Sequence, residues 1–459
     1  MTNLIIKPEK NDIQNYGIIY TPENLVNQIL DLIPPKNFEN PTLRWLDIGA
    51  GTGAFTQNLY NRLFINLEKE IQNSKDRRNH IIKNMLFMVE IYPDHITELQ
   101  QKFGTEANII NKCFLSLNKY EYEPFDFIIG NPPYNIHGQI KTPTNSKQKK
   151  TDDGKSIYVE FVKKSLELLY PDGFLNLIIP SLWLKPDKAG LYKTLTNLKI
   201  HKLHCLSTNE TNKSFNYQAQ TPTCFFLIEN IDREQDSIIN IYDKHEQKYT
   251  QYELKENYPI PTHGITIINK LLPFIEKYGY LKYYKTNTSS KKSIISINPT
   301  NTEKYKNIKT CVLENQLSPN LVFNYSNIPQ HYHNQPKLIL AHKMYGFPYL
   351  DISGIYGIST RDNYIISSKD YDIKELKQIQ AFLSTKFALF IFSTTNYRMR
   401  YLERYAFQLI PDIIKIPNFP QLINQTRINR DKIINEFFNF SHSEQAQIEN
   451  LSKDYKFFI

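Results

Sequence analysis

The first half of the chain alternates short apolar segments with segments of helical periodicity, and this alternation limits the possible folds more than any other feature. Apolar runs predict strands at residues 43–48, 85–91, 108–110, 125–129, 174–179 and 223–228. Helical spacing predicts helices at residues 54–71, 95–103 and 159–169. Such alternation favours a parallel sheet with helices on both faces, so we predict an α/β fold whose sheet is closed by residues 223–228.

Composition sets wider bounds on the class of protein. With 459 residues, of which 41% are hydrophobic and 13% aromatic, the chain can build packed cores and is not largely disordered. No apolar run approaches the roughly 20 residues that a membrane-spanning helix needs, so no membrane partner is expected. The four cysteines form no CxxC pair, and the N-terminus lacks the features of a secretion signal. We therefore expect a cytoplasmic protein with reduced thiols.

A change in composition after Glu229 predicts a second domain. Residues 232–258 are charged and polar, and Pro259 and Pro261 follow them, which is typical of a linker. We assign residues 1–232 to a first domain, 233–260 to a linker and 261–459 to a second domain. The second domain mixes strand-like runs with a long predicted helix at residues 373–393, which indicates an α+β fold.

A glycine-rich run, Asp47–Gly53 (DIGAGTG), stands where the first predicted strand meets the first predicted helix. Glycines there let the backbone turn sharply and approach a ligand closely. The GxGxG spacing differs from the GxGxxG of dinucleotide-binding loops, and no Lys-Ser/Thr pair follows, which excludes a P-loop. Glu90, at the end of the second predicted strand, could accept hydrogen bonds from both hydroxyls of a ribose. The alternative is a glycine-rich turn beside a surface glutamate.

The tetrapeptide Asn131-Pro132-Pro133-Tyr134 directly follows another predicted strand. Prolines fix φ and remove backbone donors, so the turn is stiff and its carbonyls are free to accept. The Asn131 side-chain oxygen and the Pro132 carbonyl could therefore accept both hydrogens of one amino group, which frees the nitrogen lone pair for attack. Tyr134 offers a flat face on which a ring can stack. Taken alone, the same tetrapeptide could be an ordinary turn.

This order of motifs resembles the class I S-adenosylmethionine-dependent methyltransferases, and specifically the gamma-class adenine-N6 DNA methyltransferases of restriction–modification systems. The resemblance implies a Rossmann-like class I methyltransferase sheet with helices on both faces, followed by a C-terminal α+β target-recognition domain. It implies S-adenosyl-L-methionine as the cofactor and double-stranded DNA as the partner. The implied reaction is site-specific methylation of the N6 amino group of adenine, with the base flipped out of the duplex.

The resemblance also implies roles for individual residues. Those implied to contact the cofactor are Tyr20, Thr21, Pro22, Asp47, Gly49, Gly51, Glu90, Ile91, Cys113 and Phe114. Those implied to bind and activate the target base are Asn131, Pro132, Pro133 and Tyr134. Among the residues that contact the cofactor, Glu90 would hold the ribose and Ile91 would pack on the adenine. Phe215 is predicted to stack on the flipped base opposite Tyr134, with Tyr217 as its rival.

One position departs from the family pattern. The family usually has an aspartate here, which contacts the amino group of the cofactor's adenine, whereas this chain has Cys113. A thiol is a weak acceptor. We therefore expect reduced cofactor affinity, or a backbone carbonyl in place of the missing carboxylate.

Basic residues interleaved with aromatic ones predict a DNA-contacting surface, because arginine bonds both phosphates and guanine edges. The residues predicted to bind DNA are Arg398, Arg400 and Arg404 in the second domain and Lys141 and Lys147 in a polar loop after the tetrapeptide. The alternative for the arginine-rich run is a solvated face. The formal net charge of +9 agrees with a polyanionic partner. It could equally result from an AT-rich genome, whose codons favour lysine.

Other classes of function remain open at this point. The same tetrapeptide could serve a glutamine-N5 protein methyltransferase or an RNA adenine-N6 methyltransferase, and a catalytically weak DNA-specificity module is a further alternative. The histidine pairs at 201/204 and 331/333 lack a second ligand pair at useful spacing, so no metal site is expected. No nuclease-like carboxylate cluster stands out, so a restriction endonuclease with the same target sequence would be a separate polypeptide.

Overall fold

The computed structural model describes residues 19–135, 156–186, 190–219, 221–234, 237–289, 292–315, 318–342, 348–398 and 402–452. The chain forms two compact units, of which the first comprises Met1–Tyr242 with Gln251–Glu256 and the second Asp243–Thr250 with Asn257–Ile459. None of the described helices is long and apolar enough to span a membrane.

A nine-stranded mixed sheet organises the first unit, although residues 243–250, at the end of β8 and the start of β9, are grouped with the second unit. Its strands, in chain order, are β1 (Trp45–Asp47), β2 (Leu86–Val89), β3 (Asn108–Ile110), β4 (Phe125–Gly130), β5 (Leu169–Pro180), β6 (Leu198–Leu206), β7 (Thr223–Asp232), β8 (Ile238–Asp243) and β9 (Lys248–Glu253). The accompanying α-helices are α1 (Glu23–Leu30), α2 (Ala54–Asn66), α3 (Ser74–His80), α4 (Pro93–Phe103), α5 (Tyr158–Leu168), α6 (Leu191–Thr196) and α7 (Thr208–Ser214).

The strand order is β3-β2-β1-β4-β5-β7-β6-β8-β9, and the strands from β3 to β5 run parallel. The chain leaves β1 to one side for β2 and β3, and then crosses to the other side for β4 and β5. The direction of winding therefore reverses between β1 and β4. In open α/β sheets, ligands bind at such a reversal, beyond the carboxyl ends of the strands.

An aromatic ladder fixes the register of the central strands. Trp45 pairs with Phe127 across β1 and β4, and their rings stack with centroids 4.0 Å apart. Phe127 in turn pairs with Phe174 of β5, with centroids 5.0 Å apart. Such pairs contribute about 0.5–1.5 kcal/mol beyond the apolar area that they bury. Because β1 and β4 are locked side by side, the loops that follow them start from fixed positions.

Two sequence predictions about the sheet are wrong. Strand β7 does not close the sheet, because it lies between β5 and β6 and runs antiparallel to both. The central part of the predicted linker forms β8 and β9 instead of irregular chain. In β8 buried residues alternate with more exposed ones, and Ile239, Ile241 and Asp243 are buried. Ile238, Asn240 and Tyr242 lie on the other face, and this period of two is that of a strand.

The second unit contains two four-stranded sheets, ordered β10-β17-β14-β15 and β11-β13-β12-β16. Its strands are β10 (Tyr284–Lys285), β11 (Ile295–Ser296), β12 (Tyr305–Asn315), β13 (Ser318–Ser326), β14 (Lys337–Ala341), β15 (Tyr349–Asp351), β16 (Gly357–Ile358) and β17 (Asn363–Ser367). Its α-helices are α8 (Ile265–Tyr278), α9 (Ile373–Leu383), α10 (Lys386–Ser393), α11 (Arg427–Phe437) and α12 (His442–Ser452). The predicted helix at 373–393 is thus two helices, because Thr385 leaves helical geometry and caps α10 by accepting from the N–H of Ala388.

Candidate active site

The glycine-rich loop follows β1 and leads into α2. Gly51 and Gly53 have φ angles of 53° and 89°, in the left-handed region that favours glycine. A Cβ atom on Gly53 would lie 2.9 Å from Cδ2 of Leu99 in α4. The loop is also tied to β2, since the N–H of Ala50 donates to the carbonyl of Val89 at 3.0 Å. Glycine therefore lets the loop pass close to α4 in this conformation.

Asp47 ends β1 beneath this loop and is only 2% exposed. Its Oδ2 atom accepts a hydrogen bond of 2.8 Å from the hydroxyl of Thr56 in the first turn of α2. Burial raises the pKa of Asp47 to about 7, although hydrogen bonds from Thr56 and Gly49 act in the opposite direction. The carboxyl group therefore titrates near neutral pH.

Glu90 follows β2 and organises the neighbouring loop. One carboxylate oxygen, Oε2, accepts from the backbone N–H of Gly51 at 2.7 Å. The other, Oε1, accepts from the N–H groups of Ile91 and Tyr92 at 2.8 and 2.9 Å. Burial raises the pKa of Glu90, but hydrogen bonds from His95, Tyr92 and Gly51 outweigh it and hold the pKa below its usual value. Glu90 is therefore a preorganised anion at this edge of the sheet.

His95 connects Glu90 to the segment before α1. Its side chain is buried in the first turn of α4, and its Nδ1 atom lies 3.7 Å from Oε2 of Glu90. Its Nε2 atom is 3.0 Å from the hydroxyl of Tyr20. Sequence reasoning missed His95, because a single histidine in an amphipathic helix matches no motif. Its only distinguishing feature in the sequence is that it follows Glu90 by five residues.

The Asn131–Tyr134 turn leaves β4 beside the glycine-rich loop. Gly130 has a φ of 135°, and a Cβ atom there would lie 3.1 Å from Oδ1 of Asp47. The Nδ2 atom of Asn131 donates to the hydroxyl oxygen of Thr21 at 3.0 Å. The Oδ1 atom of Asn131 is buried and has no hydrogen-bond partner among the described residues. Such an orphaned acceptor costs about 1–3 kcal/mol, which a ligand donor would recover.

Tyr134 ends this turn and is half-buried, and its backbone carbonyl accepts from the N–H of Ile157 at 3.0 Å. Its hydroxyl is buried without a partner among the described residues. Burial raises the pKa of Tyr134 well above its usual range, so the phenol stays neutral.

These elements surround one cavity of about 840 Å³, including its open mouth. Its lining includes eleven of the residues singled out from the sequence: Tyr20, Gly49, Gly51, Glu90, Ile91, Cys113, Phe114, Asn131, Pro132, Pro133 and Tyr134. Three others, Thr21, Pro22 and Asp47, do not line the cavity, and Thr21 and Asp47 are buried. The lining also includes residues that the sequence did not single out, namely Ile19, Ile48, Val89, Tyr92, His95, Lys112 and Phe161.

Apolar side chains border part of this cavity. The rings of Phe114 and Phe161 stack with centroids 5.2 Å apart, so α5 supports the short turn that carries Phe114. Ile91 is 49% exposed just beyond the carboxyl end of β2. Cys113 is exposed next to Phe114. These side chains offer apolar surface for a ring, with a thiol at its border.

Phe215, which is predicted to stack on the flipped base, is covered by protein in the structure described. Phe215 ends α7 and is only 1% exposed, so both of its faces are covered by protein. Its rival Tyr217 is 72% exposed and has a φ of 67°. Neither residue lines the cavity. Sequence could not separate the two, because burial here depends on how the chain after α7 folds back.

The residues predicted to bind DNA are only partly described. Lys141, Lys147 and Arg400 lie outside the described residues. Arg398 and Arg404 are exposed in the second unit. The guanidinium of Arg404 lies 4.5 Å from the ring centroid of Tyr405 and donates to its hydroxyl. Within the described part of the chain, no group of three or more His, Cys, Asp or Glu residues is arranged to hold a metal ion.

The geometry combines three chemical features at the reversal between β1 and β4. The carboxylate of Glu90 can accept hydrogen bonds, the apolar border can hold a ring, and Asn131 presents an unsatisfied acceptor. A Cβ atom on Gly49 would lie 4.0 Å from the carbonyl oxygen of Asn131, so the glycine-rich loop and the tetrapeptide are neighbours. The site is therefore suited to hold a polar, ring-bearing ligand beside a group that receives an amine.

Comparison with known proteins gives a family match in the first unit and several relatives of the chain. Residues 48–213 match the model of the Eco57I restriction-modification methylase family. An uncharacterized adenine-specific methylase of Mycoplasma pneumoniae is 24% identical over 299 residues, 47% of this chain and 67% of that protein. The type II methyltransferase M.BstVI of Geobacillus stearothermophilus is 30% identical over 187 residues, 36% of this chain and 33% of that protein. The chain thus spans from one third to two thirds of the length of these curated relatives.

Similarity of fold extends further along the chain. The type IIL restriction-modification enzyme MmeI, solved in complex with DNA, aligns over 98% of this chain and 80% of its own, with a TM-score of 0.50 and 14% identity. At that identity the likeness concerns the fold alone. The family match lies within the first unit, so this unit is similar to the Eco57I restriction-modification methylases.

Proposed function

We propose that this protein transfers a methyl group from S-adenosyl-L-methionine to the N6 amino group of adenine at a specific sequence in duplex DNA. The observation that carries the proposal is the buried, unpartnered Oδ1 atom of Asn131 at a cavity that Glu90 also lines. The names of the relatives, adenine-specific methylase and type II methyltransferase, support the same reaction.

The residues of the cavity fit the proposed cofactor. Glu90 would accept hydrogen bonds from the ribose hydroxyls, and Ile91 and Phe114 would pack against the adenine. Gly49 and Gly51 would allow the loop backbone to approach the ligand without a side chain in between. When bound, S-adenosylmethionine supplies an electrophilic methyl group on a sulfonium centre.

Asn131 and Pro132 would activate the adenine amine. The Asn131 side-chain oxygen and the Pro132 carbonyl would each accept one amine hydrogen, which draws the nitrogen out of conjugation with the ring. Tyr134 would stack on the base and hold its plane. The amine then attacks directly, and no covalent bond to the protein forms. Catalysis would therefore consist of positioning and desolvation rather than proton transfer by a titrating side chain.

The second unit would supply the contacts to DNA. Flipping a base out of a duplex costs a few kcal/mol, so the flanking DNA must be held firmly. The exposed Arg398 and Arg404 are candidates for these contacts, and the formal net charge of +9 favours a polyanionic partner. A separate restriction endonuclease with the same target sequence would complete a restriction–modification pair.

Labelled cofactor can test the reaction directly. The purified protein is incubated with labelled S-adenosylmethionine and, in parallel, with mixed-sequence duplex DNA, RNA or protein extract. We expect label in DNA, as N6-methyladenine in one sequence context that long-read sequencing would identify. Label in RNA or in glutamine side chains would reject DNA adenine as the substrate.

The Asn131→Ala variant tests the residue on which the proposal depends. It should lose methylation while its affinity for S-adenosylmethionine, measured by calorimetry, stays at the wild-type value. Asn61→Ala, an exposed asparagine on α2, is the matched control and should methylate normally. Full turnover by Asn131→Ala would refute the assignment.

A further inference from the structure

Thr21 contacts the side chain of Asn131 without lining the cavity. Its Oγ1 atom accepts the hydrogen bond from Nδ2 of Asn131 at 3.0 Å, and Thr21 is only 7% exposed. The two residues are 110 positions apart in sequence. The resemblance to known methyltransferases implies a different role for Thr21, contact with the methionine part of the cofactor.

A carboxamide must be held the right way round to receive an amine. Its oxygen accepts hydrogen bonds, whereas its nitrogen only donates. If the Asn131 side chain turned over, its NH₂ group would face the amine of the substrate and two donors would meet. In the structure Thr21 engages the nitrogen, and the oxygen is the end left without a partner.

The backbone on both sides of Thr21 is fixed. On one side, the hydroxyl of Tyr20 is 3.0 Å from Nε2 of the buried His95. On the other, the carbonyl of Pro22 accepts from the N–H groups of Leu25 and Val26 at 2.9 and 3.0 Å, which starts α1. The Thr21 hydroxyl is therefore presented from a segment that hydrogen bonds anchor on both sides.

We propose that Thr21 is a positioning residue, which holds the carboxamide of Asn131 with its oxygen toward the amine of the substrate. This inference rests on the proposed function of the site. It assigns Thr21 to the orientation of the group that receives the substrate.

Two substitutions at Thr21 separate these roles. Thr21→Val keeps the shape but removes the acceptor, whereas Thr21→Ser keeps the hydroxyl. We expect Thr21→Val to lower the single-turnover methylation rate at saturating cofactor roughly 10- to 100-fold, because misplaced reacting groups cost that much. Its dissociation constant for S-adenosylmethionine should not change. Thr21→Ser should restore most of the rate.

Thr196→Val is the matched control. Thr196 is also a buried threonine of the first unit, and its hydroxyl donates to the carbonyl of Tyr192 at 2.7 Å within α6. The same change of chemistry there should leave both the rate and the cofactor affinity at wild-type values. Circular dichroism of each variant establishes that it is folded, and Thr21→Ala replaces Thr21→Val if the valine variant does not fold.

Two results with Thr21→Val would overturn the inference. One is a wild-type rate, and the other is weaker cofactor binding with an unchanged rate at saturation, which would assign Thr21 to the cofactor instead. A wild-type protein that methylates no adenine in DNA would reject the proposed function, and this inference with it.

Discussion

Glu90 and Gly51 are joined by a hydrogen bond of 2.7 Å from the backbone N–H of the glycine to the carboxylate. The acid at the end of β2 thus holds the loop that follows β1. This acidic side chain shapes the loop, and under the proposed function it would also receive the ribose of the cofactor. Both depend on its negative charge.

Glu90→Gln should weaken cofactor binding. The amide keeps one oxygen but loses the charge and one acceptor. Hydrogen bonds to charged groups contribute about 1.5–3 kcal/mol, so the dissociation constant for S-adenosylmethionine should rise roughly 10- to 100-fold. Calorimetry measures this, with the exposed Glu70→Gln as control. Wild-type affinity in Glu90→Gln would show that the carboxylate does not contact the ligand.

Cofactor affinity should increase with pH around neutrality. Burial raises the pKa of Asp47 to about 7, so this group is mostly neutral at pH 6 and mostly ionised at pH 8. A ligand with a sulfonium and an ammonium group favours the ionised form, so binding should strengthen as pH rises through 7 and then level off. Below pH 7 binding should release protons, which calorimetry in buffers of different ionisation enthalpy detects.

The same linkage gives a control for Asp47. Asp47→Asn cannot ionise, so its cofactor affinity should be weaker at pH 8 and should lose the increase around pH 7. The folding stability of the free protein should have the opposite pH dependence. A carboxyl whose pKa is raised on folding contributes stability that is present below its unfolded pKa of 3.8 and is lost as pH rises toward 7. Wild-type binding that is independent of pH between 6 and 8 would contradict the coupling.

Cys113→Asp should tighten cofactor binding. Cys113 is exposed at the cavity, and its thiol is a weak acceptor for an amino group. A carboxylate at this position would accept a charge-assisted hydrogen bond, so the dissociation constant should fall about tenfold. Cys113→Ser, which adds no charge, should change it much less. Equal affinities of the aspartate variant and the wild type would indicate that a backbone carbonyl already serves the adenine amino group.

Gly130→Ala should destabilise the first unit. The φ of 135° is costly for any side chain, and the new Cβ atom would lie 3.1 Å from Oδ1 of Asp47. Backbone strain of this kind costs about 1–3 kcal/mol, and the contact adds to it. Gly104→Ala is the matched control, because Gly104 has a φ of 98° but open space around it. Urea unfolding should show a larger loss at 130 than at 104, and equal losses would mean that the contact with Asp47 is harmless.

The sequence predicted the core of the candidate site because its residues follow strands. Glu90, Gly51 and Asn131 are separated in sequence, but each lies just beyond the carboxyl end of a strand of the parallel part of the sheet. Once a parallel sheet is expected, the ends of its strands meet at one edge, and the motifs are brought together. Local patterns were sufficient at these positions.

The remaining features depend on tertiary contacts that local patterns do not encode. The bond between Thr21 and Asn131 depends on where α1 docks, and the pairing of His95 with Tyr20 depends on the same segment. Phe161 reaches the cavity from α5 because it stacks on Phe114. Phe215 is an aromatic residue of the kind that can stack on a base, but it is buried. The spacing of residues in the sequence does not distinguish a buried aromatic residue from a base-stacking one.

The hairpin of β8 and β9 decides how the chain can be divided for experiments. Strand β8 pairs in parallel with β6 through Asn240 and Ile241, at the far end of the sheet order from β3. A fragment that ends at residue 232 would lack β8 and β9, and the amide and carbonyl groups along the outer edge of β6 would lose their partners. Bare edges of this kind recruit other chains. An isolated catalytic fragment is therefore expected to remain soluble only if it is extended through residue 256, and shorter ones should aggregate on expression.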